Sequence, residues 1–178
     1  MKLVLPNAQY KDSFLEAMRK HKASGEADGL FDEHTEQWFE ERFDDWLETL
    51  AMYRSGHDLP EDKVQSTQWW VIKNGKWLGR VSLRHELNEH LMHYGGHLGY
   101  YLIPEARGKG VGTWAVQQVL EEAKKLGLKK LLVTCDTHNI VSQKVIQKFG
   151  GVHQDTIDSV EHNAPLMRWW IDLSKLAS

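Results

Sequence analysis

The chain has 178 residues, 41% hydrophobic and 26% charged, a composition that suits one ordinary globular domain and is short for two. Its net charge of −3 leaves no basic field for nucleic acid, no apolar run approaches the roughly 20 residues of a membrane span, and the lone Cys135 cannot form an intrachain disulfide. The expectation is a single domain over residues 1–178 in a reducing, cytoplasmic setting.

Residues 3–5 predict a short strand ended by Pro6, too brief for a signal-peptide core. A helix follows from Asn7, with Phe14, Leu15 and Met18 on one face, and fades at Ser24-Gly25. A second helix is expected over 35–54, where Trp38, Phe39, Phe43, Trp46, Leu47 and Leu50 recur at helical spacing. Residues 55–66 are polar and read as a loop. The period then changes to two. Residues 68–73 and 76–83 predict a hairpin about Asn74-Gly75, with Trp77, Val81 and Leu83 on one face. A histidine-rich connection, 85–96, leads to a strand over 97–103 that stops at Pro104. Residues 112–126 predict an amphipathic helix with Ala115, Val119, Ala123 and Leu126 along a stripe, closed by Gly127. A buried strand at 130–134, a short helix at 139–149 and a final antiparallel pair at 152–158 and 166–173 complete a mixed α/β sandwich around one sheet.

Between the strand at 97–103 and the helix at 112–126 runs RGKGVG, residues 107–112. It has neither the GxxxxGK[ST] spacing of a P-loop nor the GxGxxG of a dinucleotide fingerprint. It reads R-x-x-G-x-G at Arg107, Gly110 and Gly112, after a strand and before a helix. The first N–H groups of that helix have no partner within it, and the helix dipole adds about +0.5 charge at this end. Gly108, Gly110 and Gly112 remove the Cβ atoms that would hold a diphosphate away, and Arg107 and Lys109 add positive charge. The competing reading is a glycine-rich turn with solvated basic residues.

The run YLIPEARGKGVG resembles the acyl-coenzyme A loop of the GNAT superfamily of N-acetyltransferases. NIVSQKVIQKFGG, residues 139–151, is similar to the family's second signature, with Asn139, Ser142, Lys148 and Gly150 at matching positions. The likeness covers roughly residues 68–173; the first two helices match in placement only. Residues 84–100 also resemble a stretch found in a group of predicted, mostly uncharacterised bacterial acetyltransferases.

The resemblance implies a GNAT-like, mostly antiparallel sheet flanked by helices and splayed at the acyl-CoA site. Acetyl-CoA is then the co-substrate, and a primary amine of a small molecule or peptide is the acceptor, attacking the thioester with no covalent enzyme intermediate. Backbone groups of Tyr100 and Leu102 would pair with pantetheine, and N–H groups of Arg107, Gly108, Lys109, Gly110, Val111 and Gly112 would hold the diphosphate. Asn139 would reach pantetheine or the acceptor side, and Ser142 the sulfur or the phosphates. An N–H near Leu102 would stabilise the oxyanion. Many family members carry a tyrosine seven residues after the asparagine; this chain has Ile146, which leaves Tyr94, Tyr100 and Tyr101 as candidate acids. His97 is the candidate base, with His85, Glu86 and His138 in reserve. The missing tyrosine also keeps open a non-catalytic acyl-CoA-binding sensor or partner module. Homodimers are common in such folds, but no interface can be read from the residues.

Other features have plainer readings. HELNEH, residues 85–90, is one residue longer than a zincin HExxH, so its histidines would sit about 140° apart on a helix. No functional metal is expected there or at His90, His93 and His97. Cys135 reads as core, as do Trp69-Trp70 and Trp169-Trp170 as sheet packing. In the superfamily the first two helices commonly wall the acceptor pocket, so acidic Glu33, Glu36, Glu40, Glu41, Asp44 and Asp45 would favour a cationic amine there; the alternative is a solvated face.

Overall fold

The computed structural model describes residues 1–24, 31, 34–159 and 164–176; Gly25 and Glu33 lie outside them. Strand β1 (Lys2–Val4) leads into a turn of 3-10 helix, Ala8–Tyr10, where the Asn7 side chain accepts from the Gln9 N–H at 2.9 Å. Helix α1 (Lys11–Ser24) follows. Helix α2 (Glu36–Ser55) starts on Thr35, whose hydroxyl accepts from the Trp38 N–H at 3.1 Å, and ends at left-handed Gly56. It bends at Arg42 (φ −122°, ψ 23°) and buries Phe39, Phe43 and Trp46, with Trp38, Leu47 and Leu50 at the edge of the stripe.

The sheet is in two pieces. Strands β1, β2 (Ser66–Lys73), β3 (Lys76–Arg84) and β4 (Leu98–Leu102) form one antiparallel sheet in that order. Strands β5 (Lys130–Asp136), β6 (Val152–Ile157) and β7 (Leu166–Asp172) form the other, in the order β5-β7-β6. Helix α3 (Val111–Lys125) connects β4 to β5, and α4 (Ile140–Lys148) connects β5 to β6. On α3 the predicted stripe holds at Ala115, Val119 and Ala123, but Leu126 has left the helix and is 50% exposed.

One expectation about β3 fails. Trp77 does not share a face with Val81 and Leu83. The register jumps from Ile72 opposite Trp77 to Val71 opposite Gly79, leaving Leu78 as an extra residue. Beyond this bulge Arg80 lies opposite Trp70 on one side and Tyr101 on the other. Trp77 packs against those same two rings, so Trp77 and Arg80 share a face although they are three residues apart. Gly79 permits the bulge: a Cβ there would lie 2.2 Å from the Tyr101 carbonyl oxygen.

Candidate active site

The two sheets touch at one end and part at the other. His97 N–H donates to the Leu132 carbonyl at 2.7 Å, and the Leu132 N–H donates to His97 Nδ1 at 2.9 Å. The Thr134 hydroxyl donates to the Tyr94 carbonyl at 3.2 Å. Gly96 allows this approach. Its φ is 63°, and a Cβ would stand 2.6 Å from the Leu132 oxygen. From there β4 and β5 diverge around a cavity of about 630 Å³. Residues 98–100 form one wall and residues 134–136 the other, with Asn139 and Ser142 of α4 at one margin.

The hydrogen-bond alternation of β4 follows from its two ends. His97 accepts from the Arg84 N–H, and the Ile103 N–H donates to Leu78. Odd-numbered residues between them therefore bond β3, and the main-chain groups of Tyr100 and Leu102 face the open side. Arg107 Nε donates to the Leu102 carbonyl at 2.9 Å, and its guanidinium lies 5.6 Å from the Tyr101 ring centroid. That bond moors the glycine loop to the strand.

Within the loop, Gly108 and Gly110 have φ of 68° and 75° with open space where a Cβ would stand, so backbone conformation rather than crowding demands glycine. Gly110 is the N-cap of α3 and makes no side-chain cap, and the helix N-terminus opens on Val111 and Gly112. At Gly112 a Cβ would touch Leu102 and Tyr100 at 3.4 and 4.0 Å, which fixes the helix start against β4. Lys109 Nζ donates to the Glu105 carbonyl at 2.8 Å. A segment of this form presents backbone donors and positive potential to an anion.

Tyr100 reaches from β4 towards α4, its hydroxyl donating to Ser142 Oγ at 2.9 Å. Burial raises its pKa, so it remains a phenol at neutral pH. The Asn139 side chain accepts from the Ser142 N–H at 3.0 Å and caps α4. Ile146 is 1% exposed and belongs to the core. Cys135 is buried with its thiol pushed up to about 11, chiefly by burial, so it stays protonated.

His97 does not line the cavity. It is 8% exposed at the junction of the sheets, its Nδ1 lone pair is engaged by Leu132, and burial, with Arg84's charge, lowers its pKa. The ring accepts from Leu132 at the junction of the sheets and is not among the residues that line the cavity. His85 is also occupied, with Nε2 3.0 Å from the Thr67 hydroxyl.

Sequence reasoning missed the contribution of β3. Arg80, Ser82 and Arg84 line the cavity together with His90, Leu91 and Tyr94 of the connection. The signal was available: R-V-S-L-R alternates polar and apolar, and its polar positions share one face. The connection itself contains a turn of π-helix, Leu91–Gly95. It is held by Arg84, which donates to the carbonyls of Gly95 and Gly96 at 3.1 and 2.9 Å, and by Arg168 of β7, which donates to Met92.

The acidic residues of α2 face elsewhere. Glu40, Glu41, Asp44 and Asp45 are exposed, and Arg19 engages Glu36 and Glu40. None of them lines the cavity. Among the described residues, no helix is long and apolar enough to cross a membrane, and no group of three or more His, Cys, Asp or Glu side chains could hold a metal ion.

Residues 12–152 match the family model described as an acetyltransferase (GNAT) domain. Among solved structures, the fold is similar to that of a ribosomal L7/L12 alpha-N-protein acetyltransferase in complex with coenzyme A (TM-score 0.72, 12% identity, 96% of this chain and 92% of that one). It is also similar to the microcin C7 self-immunity acetyltransferase in complex with acetyl-CoA and AMP (TM-score 0.71, 13% identity, 96% and 91%). A spermidine N-acetyltransferase from Vibrio cholerae aligns at TM-score 0.64 with 18% identity over 98% and 96%. No curated protein matches by sequence.

Proposed function

Because the chain belongs to the acetyltransferase (GNAT) domain family, we propose that it moves an acetyl group from acetyl-CoA directly onto a primary amine of a small molecule or peptide. The observation that carries this reading is the parting of β4 and β5 beside an uncapped, glycine-led helix N-terminus. A thioester between the strands and a diphosphate on the loop would use both. The coenzyme A and acetyl-CoA named with two of the similar structures support the same choice of co-substrate.

In this reading the N–H groups of residues 107–112 bind the diphosphate, and pantetheine lies along the open edge of β4 at Tyr100 and Leu102. The Leu102 carbonyl already accepts from Arg107, so its N–H is the group left for the thioester oxygen, where negative charge develops as the amine attacks. Alignment of the two reactants across the cavity supplies much of the acceleration. The leaving thiolate takes its proton from Ser142, which Tyr100 in turn supplies, replacing the acid that Ile146 cannot be. Asn139 holds Ser142 in place by capping its helix. Asp136, the carboxylate among the cavity's described lining residues, orients the ammonium end of the acceptor and passes its proton to water. His97 is assigned to the junction rather than to proton transfer.

Thermal stability measured with acetyl-CoA, free coenzyme A, ATP and NAD in parallel tests the loop. A ligand at 100 times its Kd stabilises by about 2.7 kcal/mol, so both coenzyme A species should raise Tm and NAD should not. Thiol release across an amine panel then separates an enzyme from a binding module: binding without release on any amine would favour the module.

A further inference from the structure

Taking coenzyme A on the glycine loop as given, we infer that His21 and Tyr101 are positioning residues for the coenzyme: from α1 and β4 they fix Arg107, and Arg107 fixes the loop. The buried stripe of α1 runs through Phe14, Ala17 and Met18, and the next position along it is His21, 1% exposed. An apolar side chain would serve packing there. The histidine instead places Nδ1 2.8 Å from the hydroxyl of Tyr101. Exchanging a buried polar pair for apolar groups of the same shape is nearly neutral for stability, so what this bond adds is direction. The ring of Tyr101 is anchored at its hydroxyl and flanked by Trp77, inclined 27° at 6.3 Å, and by Phe31, edge-on at 5.6 Å. Its tilt is thereby set.

Arg107 lies on that ring. Its guanidinium is 5.6 Å from the centroid, and its Nε donates to the Leu102 carbonyl at 2.9 Å. The face of the ring and the oxygen of the strand thus hold one long side chain at two points. With its guanidinium engaged on β4, Arg107 contributes to coenzyme binding by setting where the loop leaves the strand. It directly follows the 3-10 turn Pro104–Ala106 and precedes left-handed Gly110, so its placement carries to the N–H groups at the start of α3. Backbone donors bind a diphosphate only when they meet it at the right distance and angle. Helix α1 touches the same turn a second time through Lys20, whose Nζ is 3.9 Å from Glu105, an exposed pair that adds little by itself. The last turn of α1 is therefore coupled to the coenzyme loop without lining the cavity.

The test is the Kd of coenzyme A by titration calorimetry, read well below the Tm of each variant so that loss of folded protein does not enter. Tyr101→Phe keeps the ring, removes the hydroxyl and should weaken binding about threefold, within what one hydrogen bond contributes. His21→Leu should do the same. His21→Asn returns a hydrogen-bonding atom near the place of Nδ1 and should restore most of the loss. Tyr101→Leu removes the ring as well and should weaken binding about tenfold. Arg107→Lys should also weaken it about tenfold although the charge is kept, because lysine lacks the planar group that meets ring and carbonyl together. Parental affinity in Tyr101→Leu, or in Tyr101→Phe where the leucine variant fails to fold, overturns the inference. So does parental affinity in His21→Leu, which would detach α1 from the loop, or in Arg107→Lys, which would leave charge as that side chain's whole contribution. If the parent chain itself does not bind coenzyme A, the proposed function falls and takes the inference with it. If the parent binds and the variants match it, the inference alone falls.

Discussion

Where α1 and α2 cover the first sheet, Phe14 is wholly buried and meets six other rings, Phe31, Phe39, Phe43, Trp46, Trp70 and Trp77, at centroid separations of 5.0 to 5.6 Å. Where β4 meets β5, a few directional bonds join the sheets, two of them made by His97 with Leu132, and the strands then separate. The aromatic layer is held by area, spread over many contacts that share the load. The seam is held by geometry, and each bond counts. The rigid first region leaves the second free to be sparse and to open into the cavity.

The largest expected effect is in the aromatic layer. Phe14→Ala should cost about 3–5 kcal/mol of stability by leaving a cavity among rings, read by urea denaturation, while what remains folded should keep its Tm shift with coenzyme A. Gly96→Ala should cost less, about 1–3 kcal/mol, because alanine at φ 63° is strained and its methyl meets the Leu132 oxygen. It should nevertheless abolish the coenzyme A shift by moving the seam. If the two variants affect stability and binding in the same proportion, the contrast between the regions is lost.

Acidification offers a gentler probe. His97 is held neutral in the fold with its pKa below the ordinary value of 6.5, while the unfolded chain titrates normally. Protonation therefore favours the unfolded chain. The stability is fully present above pH 6.5 and is lost as pH falls from there through the lowered value. A proton on Nδ1 would also set two donors face to face at Leu132. His97→Asn should flatten this slope between pH 7 and 5 in denaturation curves, relative to the parent. The smallest effect is expected at the rim of the second sheet, where Arg168 Nε donates to Asp155 at 2.7 Å and helps lower that carboxyl to about 2. The Asp155 side chain is still 37% exposed, so solvent screens the pair and Asp155→Asn should cost under about 1 kcal/mol. That difference should be present above the ordinary carboxylate range and vanish as pH falls through about 2.

The aromatic layer was legible before the fold was known, because Phe39, Phe43 and Trp46 repeat at the helical period and burial follows period. The glycine loop was legible too, since positive φ and open backbone leave a mark in residue type at Gly108 and Gly110. The seam was not. Its components, Gly96 at the end of a polar stretch without period and the His97 ring at the start of the next strand, give no such pattern, and a histidine bonded to a distant amide looks the same as a catalytic one. The doublet Gly95-Gly96 was the one trace of the close approach. The arginines of the cavity were missed for a different reason. The alternation of R-V-S-L-R puts them on one face, but nothing in the strand's pattern tells a face that lines a cavity from one that meets solvent.

That bulge has a consequence in the language of insertion and deletion. β3 is read in two frames, one that stacks Trp77 into the aromatic layer and one that lines the cavity with Arg80, Ser82 and Arg84, and Leu78 is the spacer between them. Losing Leu78 alone would leave both frames in phase, as a regular strand. Gaining or losing a single residue between Val81 and Leu83 would turn the outer arginine over to the α3 side. Length variation in this strand is therefore tolerated at one position and rebuilds the cavity wall at its neighbours.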